Sequence, residues 1–134
     1  MMATVSKRFT FDAAHRLDRL PPDHKCHRMH GHTYEVDLVF TGEVDGNGFV
    51  IDYADIAALW APLHERLDHH VLNEVPGLEI PSTEHVAAWI AANVFDKFHH
   101  GYCRLDRVRV MESSTTWCEV MTHSILDILD RYVR

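Results

Sequence analysis

The sequence has no excess of positive charge, no long apolar run and too few cysteines for a disulfide framework. Each shortage excludes a class of protein. Thirteen Lys and Arg stand against twenty Asp and Glu, a net charge of −7. Nucleic-acid binders concentrate positive charge to meet phosphates, so no nucleic-acid partner is expected. A single anionic small molecule held in a local pocket stays compatible with that balance. No window reaches the roughly 20 apolar residues of a membrane-spanning helix, and Met1 to Thr10 lacks the apolar core of a signal peptide. No membrane partner is therefore expected. Cys26, Cys103 and Cys118 form no CxxC pair and leave an odd thiol, which points to reduced thiols and a cytoplasmic location. Internal repeats, low-complexity runs and Pro/Gly/Ser linkers are also missing, so residues 1–134 read as one domain.

What the chain has in abundance is histidine, twelve in all, and that directs attention to metal or acid–base chemistry. The apolar share of 46% suffices for a core. A chain this short still exposes sizeable surface, and many such domains assemble into oligomers.

Hydrophobic periodicity sets out the elements. From Val5 to His15 the odd positions Val5, Phe9, Phe11, Ala13 and His15 share a face, with only Lys7 out of pattern. A charged loop with Pro21 and Pro22 follows, to about Arg28. A second strand from His30 to about Val44 places His30, His32, Tyr34, Val36, Leu38 and Phe40 on one face. DGNG at 45–48 signals a turn, and Phe49 to Asp52 is expected to add a short strand extension. Tyr53 to Leu67 has helical spacing, with Asp52 as N-cap. Ser82 or Thr83 caps a second helix to about Phe98, with Val86, Trp89, Ile90 and Val94 on its apolar side and His99–Gly101 ending it. Arg104 to Met111 and Trp117 to Met121 read as two further strands, and Ser124 to Val133 as a short helix. Two hairpins separated by a helix pair predict an α+β domain, with helices on one face of an antiparallel sheet.

HGH at 30–32 carries the first chemical signal. Residues two apart on a strand project from the same face, so His30 and His32 can grip one ion. His15 ends the first strand on the face that Phe9 and Phe11 define. A hairpin across residues 16–29 therefore closes a three-histidine site. Three neutral imidazoles suit Zn2+ and leave one coordination position open. Cys26 lies four residues before His30, near Lys25 and Arg28, and both a cation and basic neighbours favour its thiolate. It reads either as a fourth, structural ligand or as a free thiolate that moves protons. Asp68 beside His69 can orient the imidazole and stabilise its charged form, although histidine at a helix end also serves the macrodipole. Glu112 closes the last long strand, where it would matter if a ligand offered it two adjacent N–H donors. Thr83 and Glu84 open the second helix, where Glu84 has an ordinary explanation in the helix dipole.

FTFDAAHRL at 9–17, CHRMHGHTY at 26–34, RLDHHVLN at 66–73, PSTEHVAAWI at 81–90 and VMESSTTWC at 110–118 together resemble the 6-pyruvoyltetrahydropterin synthase superfamily. Within it they are most similar to the bacterial 6-carboxytetrahydropterin synthases of queuosine biosynthesis, which share the spacing of Cys26 before HGH. The resemblance implies a tunnelling fold, a four-stranded antiparallel sheet with two helices on one face. It implies a ring-forming homo-oligomer, with a hexamer favoured and active sites between subunits. His15, His30 and His32 match the zinc ligands, Cys26 the proton-transferring cysteine, and Asp68 with His69 the relay pair. Glu112 matches the acid that anchors the pterin ring, and Thr83 and Glu84 join it as expected substrate-binding residues. The implied substrate is a pterin triphosphate, with Arg16, Lys25 and Arg28 as nearby cations. The sequence departs from the pattern at His27, in the SSTTW segment after Glu112 and in a longer C-terminal tail.

Overall fold

Alternation decides the first two strands. The structure, a computed structural model, describes residues 1–98 and 102–132, apart from the side chains at 124, 126 and 128. Strand β1 (Met2–His15) pairs antiparallel with β2 (His30–Glu43) along its whole length, from Met2 opposite Glu43 to His15 opposite His30. The apolar sets of both strands thus meet on one face. Phe11 and Tyr34 face each other across the ladder with rings stacked at 4.7 Å, and both are fully buried. Lys7, the residue out of pattern, extends its ammonium over the Phe9 ring at 5.7 Å and so stays on the apolar face without burying its charge. On the opposite face Arg8 forks onto Asp37 at 2.8 and 3.0 Å. That pairing is how Asp37 can be buried.

Helix α1 (Tyr53–Leu67) has the expected bounds, and the Asp52 carboxylate caps it by accepting from Ala54 N–H. Its Ile56, Trp60, Leu63 and Leu67 are buried in the core. The strand extension expected at Phe49–Asp52 does not form. Asp45 N–H instead donates to the Phe49 carbonyl at 2.8 Å, and the Asp45 side chain accepts from Asn47 and Phe49, closing a tight loop. After α1 the chain makes a two-residue strand, β3 (His70–Val71), parallel to Ala13–Ala14 of β1. The sheet consequently has five strands rather than four, in the order β3-β1-β2-β4-β5. Strands β4 (Cys103–Met111) and β5 (Trp117–Met121) form the second hairpin, and β4 joins β2 antiparallel.

Helix α2 (Thr83–Lys97) is capped by Ser82, whose hydroxyl accepts from His85 N–H. Every residue from Val86 to Val94 is buried, not just one apolar side. The reason is a third helix, α3 (Leu126–Tyr132); Ile125 just before it and Tyr132 at its end join the core that contains Trp89. With sheet on one side and α3 on another, α2 carries four buried alanines, Ala87, Ala88, Ala91 and Ala92. The expected stop at His99–Gly101 lies outside the described residues, as does Val133. No described helix is long and apolar enough to cross a membrane.

Candidate metal centre and active site

The β1–β2 register brings the three histidines together. Ala13 pairs with His32 and His15 with His30, so both strands end on one imidazole cluster. Ligating nitrogens of His15, His30 and His32 all lie within 4.8 Å of one another, in the one such metal-competent group among the described residues. His15 Nδ1–H donates to the Pro81 carbonyl at 2.8 Å, and His30 Nδ1–H to the Arg28 carbonyl at 2.7 Å. Carbonyls only accept, so each of these rings carries its proton on Nδ1 and a bare lone pair on Nε2. The two Nε2 atoms stand 3.0 Å apart. Lone pairs at that separation repel unless a proton or a metal ion lies between them.

Burial disfavours the proton. His15 is 1% exposed, and desolvation pushes its pKa down against the opposing pull of the Pro81 carbonyl and Glu112. Desolvation lowers His32 in the same way. His32 Nε2 is buried without a hydrogen-bond partner among the described residues. Glu112 Oε1 approaches it to 3.2 Å, within ion-pair range but outside hydrogen-bond geometry. Three imidazoles whose ligating nitrogens converge are the donor set of a borderline divalent cation. The residues fit a metal. Carbonyl anchors on the remote ring nitrogens fix tautomer and orientation, as outer-shell partners of ligating histidines do.

Sequence reasoning missed those anchors because they are backbone groups. Pro81 is 66 residues from His15, and nothing in its side chain advertises the contact. Its placement depends on the 76–82 segment. Gly77, at φ +92°, lies so close to Trp89 that a Cβ would come within 3.2 Å of the indole. The Trp89 Nε1–H donates to the Pro76 carbonyl at 3.1 Å. Tyr34 is a second omission: its hydroxyl lies 3.3 Å from His15 Nδ1, and its place two residues after His32 could have signalled it.

Glu112 joins this cluster, and so does Thr83. The Thr83 hydroxyl donates to Glu112 Oε2 at 2.8 Å, while Oε1 faces His32. An N-terminal residue of α2 thereby orients a carboxylate just past the end of β4. Glu84 points elsewhere in its influence: with burial as the larger cause, its charge helps raise the Cys118 thiol pKa.

Cys26 sits in a short 3-10 turn, Lys25–His27, and is half-buried. Its carbonyl accepts from Leu17 N–H at 2.8 Å, which folds the loop end back beside the end of β1. Its sulfur is not part of the metal-competent group.

Asp68 and His69 form a second, exposed constellation. His69 Nδ1–H donates to Asp68 Oδ2 at 2.7 Å, and Asp12 N–H donates to Asp68 Oδ1 at 2.9 Å. The backbone hydrogen bond to Asp12 and then the His69 contact hold the Asp68 carboxyl below its ordinary range. Asp68 in turn raises the His69 pKa, first through that hydrogen bond and then through its charge. Among the described residues His69 is the one non-glycine with positive φ, at 57°. An open cleft of about 530 Å³ is lined by both His32 and His69, together with Asp12, Ala14, Gly31 and Thr33.

Known proteins agree with this architecture. Residues 4–123 match the family described as 6-pyruvoyl tetrahydropterin synthase. The chain is 36% identical to the 6-carboxy-5,6,7,8-tetrahydropterin synthase of Synechocystis over 123 residues, covering 86% of this chain and 90% of the relative. It is 34% identical to the human 6-pyruvoyl tetrahydrobiopterin synthase over 107 residues, covering 69% and 74% of the two chains. Among solved structures, Caenorhabditis elegans 6-pyruvoyl tetrahydropterin synthase superposes with a TM-score of 0.80 at 22% identity, over 90% of this chain and 96% of that one. The protein has the tunnelling fold, and it belongs to the 6-pyruvoyl tetrahydropterin synthase family.

Proposed function

We propose that the protein is a zinc-dependent carbon–carbon lyase that converts 7,8-dihydroneopterin triphosphate and one water to 6-carboxy-5,6,7,8-tetrahydropterin, acetaldehyde and triphosphate. Among pterin synthases this is the activity that feeds queuosine biosynthesis. The observation that carries the reading is the position of Glu112, oriented by Thr83 and 3.2 Å from the orphaned His32 nitrogen. A planar ligand gripped by that carboxylate would hold its side chain against the histidine triad. The Synechocystis relative, named a 6-carboxytetrahydropterin synthase, supports this choice of product.

His15, His30 and His32 would hold the zinc, which when bound supplies Lewis-acid polarisation of the substrate's side-chain oxygens. Glu112 accepts from a pterin ring N–H and the exocyclic amine, two parallel charge-assisted hydrogen bonds that fix the ring. Thr83 keeps one carboxylate oxygen aligned, and Glu84 adds negative charge at the same helix end. Cys26 as thiolate takes a proton at Sγ. His69 gives or takes one at Nε2, because its Nδ1 is committed to Asp68. A side chain 79% exposed in the single chain suits a residue that completes its site against another copy. The whole chain acts as one domain of a cytoplasmic homo-oligomer, a hexamer in this reading.

Mass spectrometry of products after incubation with dihydroneopterin triphosphate and zinc tests the proposal. A 6-carboxypterin product supports it. A product that keeps all three side-chain carbons assigns the protein to the pyruvoyl activity instead, as in the human relative's name. Bound metal with no pterin consumed makes it a metal-binding protein only.

A further inference from the structure

Asp12 sits where the relay meets the sheet, and nothing in the catalytic reading uses it. Its main chain makes both backbone contacts that hold the relay. Asp12 N–H donates to Asp68 Oδ1 at 2.9 Å, and its carbonyl accepts from His69 N–H at 2.6 Å. The second contact coincides with the positive φ of His69, a conformation that a non-glycine residue keeps only where its surroundings enforce it. The parallel pairing of Ala13 with His70 continues the same seam. The side chain of Asp12 is also fixed. Thr33, directly opposite on β2, donates its hydroxyl to Asp12 Oδ1 at 2.5 Å. Asp12, Thr33 and His69 all line the same cleft.

We propose that Asp12 is a positioning residue of the relay: its main chain sets the His69 conformation, and its carboxylate, pinned by Thr33, is a second negative charge facing the His69 ring. The inference rests on the relay role proposed for Asp68 and His69. Groups facing His69 can be named element by element. Asp68 caps α1 and binds Nδ1 directly, and His64 on α1 lies 3.8 Å from the same Asp68 oxygen. His70 on β3 is occupied with the Asp68 carbonyl at 2.8 Å, and Thr33 on β2 is uncharged. Among the described residues Asp12 is thus the one further carboxylate acting on the ring, in the direction that favours its charged form.

The test is the titration of the His69 ring C–H by NMR in the zinc-loaded enzyme, assigned by its disappearance in His69→Gln. Asp12→Asn keeps the size of the side chain and an acceptor for Thr33 while removing the charge. Its His69 midpoint should fall, with zinc content unchanged. Turnover should fall with the charged fraction of the His69 ring, by at most about tenfold for a midpoint lowered by about one pH unit. Asp12→Glu, which restores the charge, should recover the midpoint. An unmoved midpoint in Asp12→Asn overturns the proposal. So does a moved midpoint with wild-type turnover, provided that His69→Gln is inactive. An active His69→Gln means the relay reading itself has failed, and the titration alone then decides whether Asp12 acts on the ring.

Discussion

Two groups of histidines stand at the same end of the sheet and are prepared for opposite states. His15 and His32 lie against the core, where desolvation lowers their pKa values and keeps the rings neutral. His69 lies in the open beside Asp68, which raises its pKa and favours the charged ring. Neutral imidazole binds metal; imidazolium donates protons. In the proposed chemistry one residue type thus supplies both halves, and the difference comes from burial and a single adjacent carboxylate.

Removing ligands should break the buried half completely. His30→Ala combined with His32→Ala is expected to take the protein from about one zinc per chain to none, as read by elemental analysis; full occupancy in that variant would remove the triad from consideration. Cys26→Ala tests whether catalysis can be separated from metal binding. Zinc and oligomer should persist while turnover drops about 10²–10⁴-fold. A fall in zinc content would instead make Cys26 a ligand, and normal turnover with full zinc would leave it a bystander. Glu112→Gln acts at the edge of the buried half. It removes a charge and one acceptor, so a pterin analogue should bind about 10- to 100-fold more weakly, corresponding to about 1.5–3 kcal/mol for a hydrogen bond to a charged group. Calorimetric titration reads that loss, and zinc should stay.

The smallest effects are in pH dependence, and here the two halves have opposite signs. Folded-state pKa values of His15 and His32 are lowered, so the unfolded chain takes up protons first on acidification. Metal-free protein should therefore lose stability as pH falls from about 6.5 towards those lowered values. For His69 the folded value is raised. Its contribution is present below the ordinary histidine value and fades as pH climbs through the raised one. Thermal melts across pH of the metal-free protein and its His69→Gln variant separate the two slopes. His69→Gln should flatten only the alkaline side, and only slightly, because the ring is exposed to solvent.

Much of this arrangement is legible in the sequence. Strict alternation fixes β1 and β2, and once they pair as a hairpin HGH and His15 must meet. Asp52 and helical spacing give α1 its bounds. Strand β3 is invisible because two residues carry no period; its partner Ala13–Ala14 selects it only after α1 has delivered the chain there. All-round burial of α2 depends on α3 covering it, so periodicity within α2 alone shows one apolar side. The Pro81 and Arg28 carbonyls that orient His15 and His30 belong to every residue's backbone and leave no signature. Asp68 and His69 could be named from adjacency, but the left-handed His69 is held by a backbone contact to distant Asp12 that leaves no signature in sequence.

The three histidines belong to one hairpin, whereas Glu112 and Thr83 reach the site from distant stretches of chain. Loop-closure entropy rises with the length of chain enclosed, so the β1–β2 ladder is the cheaper contact to make first during folding. The strand ends and their imidazoles would come together before β4 docks on β2 and before α2 brings Thr83 to Glu112. The histidine cluster would then be an early, local product of folding, with the Pro81 carbonyl that orients His15 and the Glu112 carboxylate arriving later. A metal ion present during refolding should accordingly speed or stabilise the hairpin stage, while variants of Glu112 should leave that stage untouched.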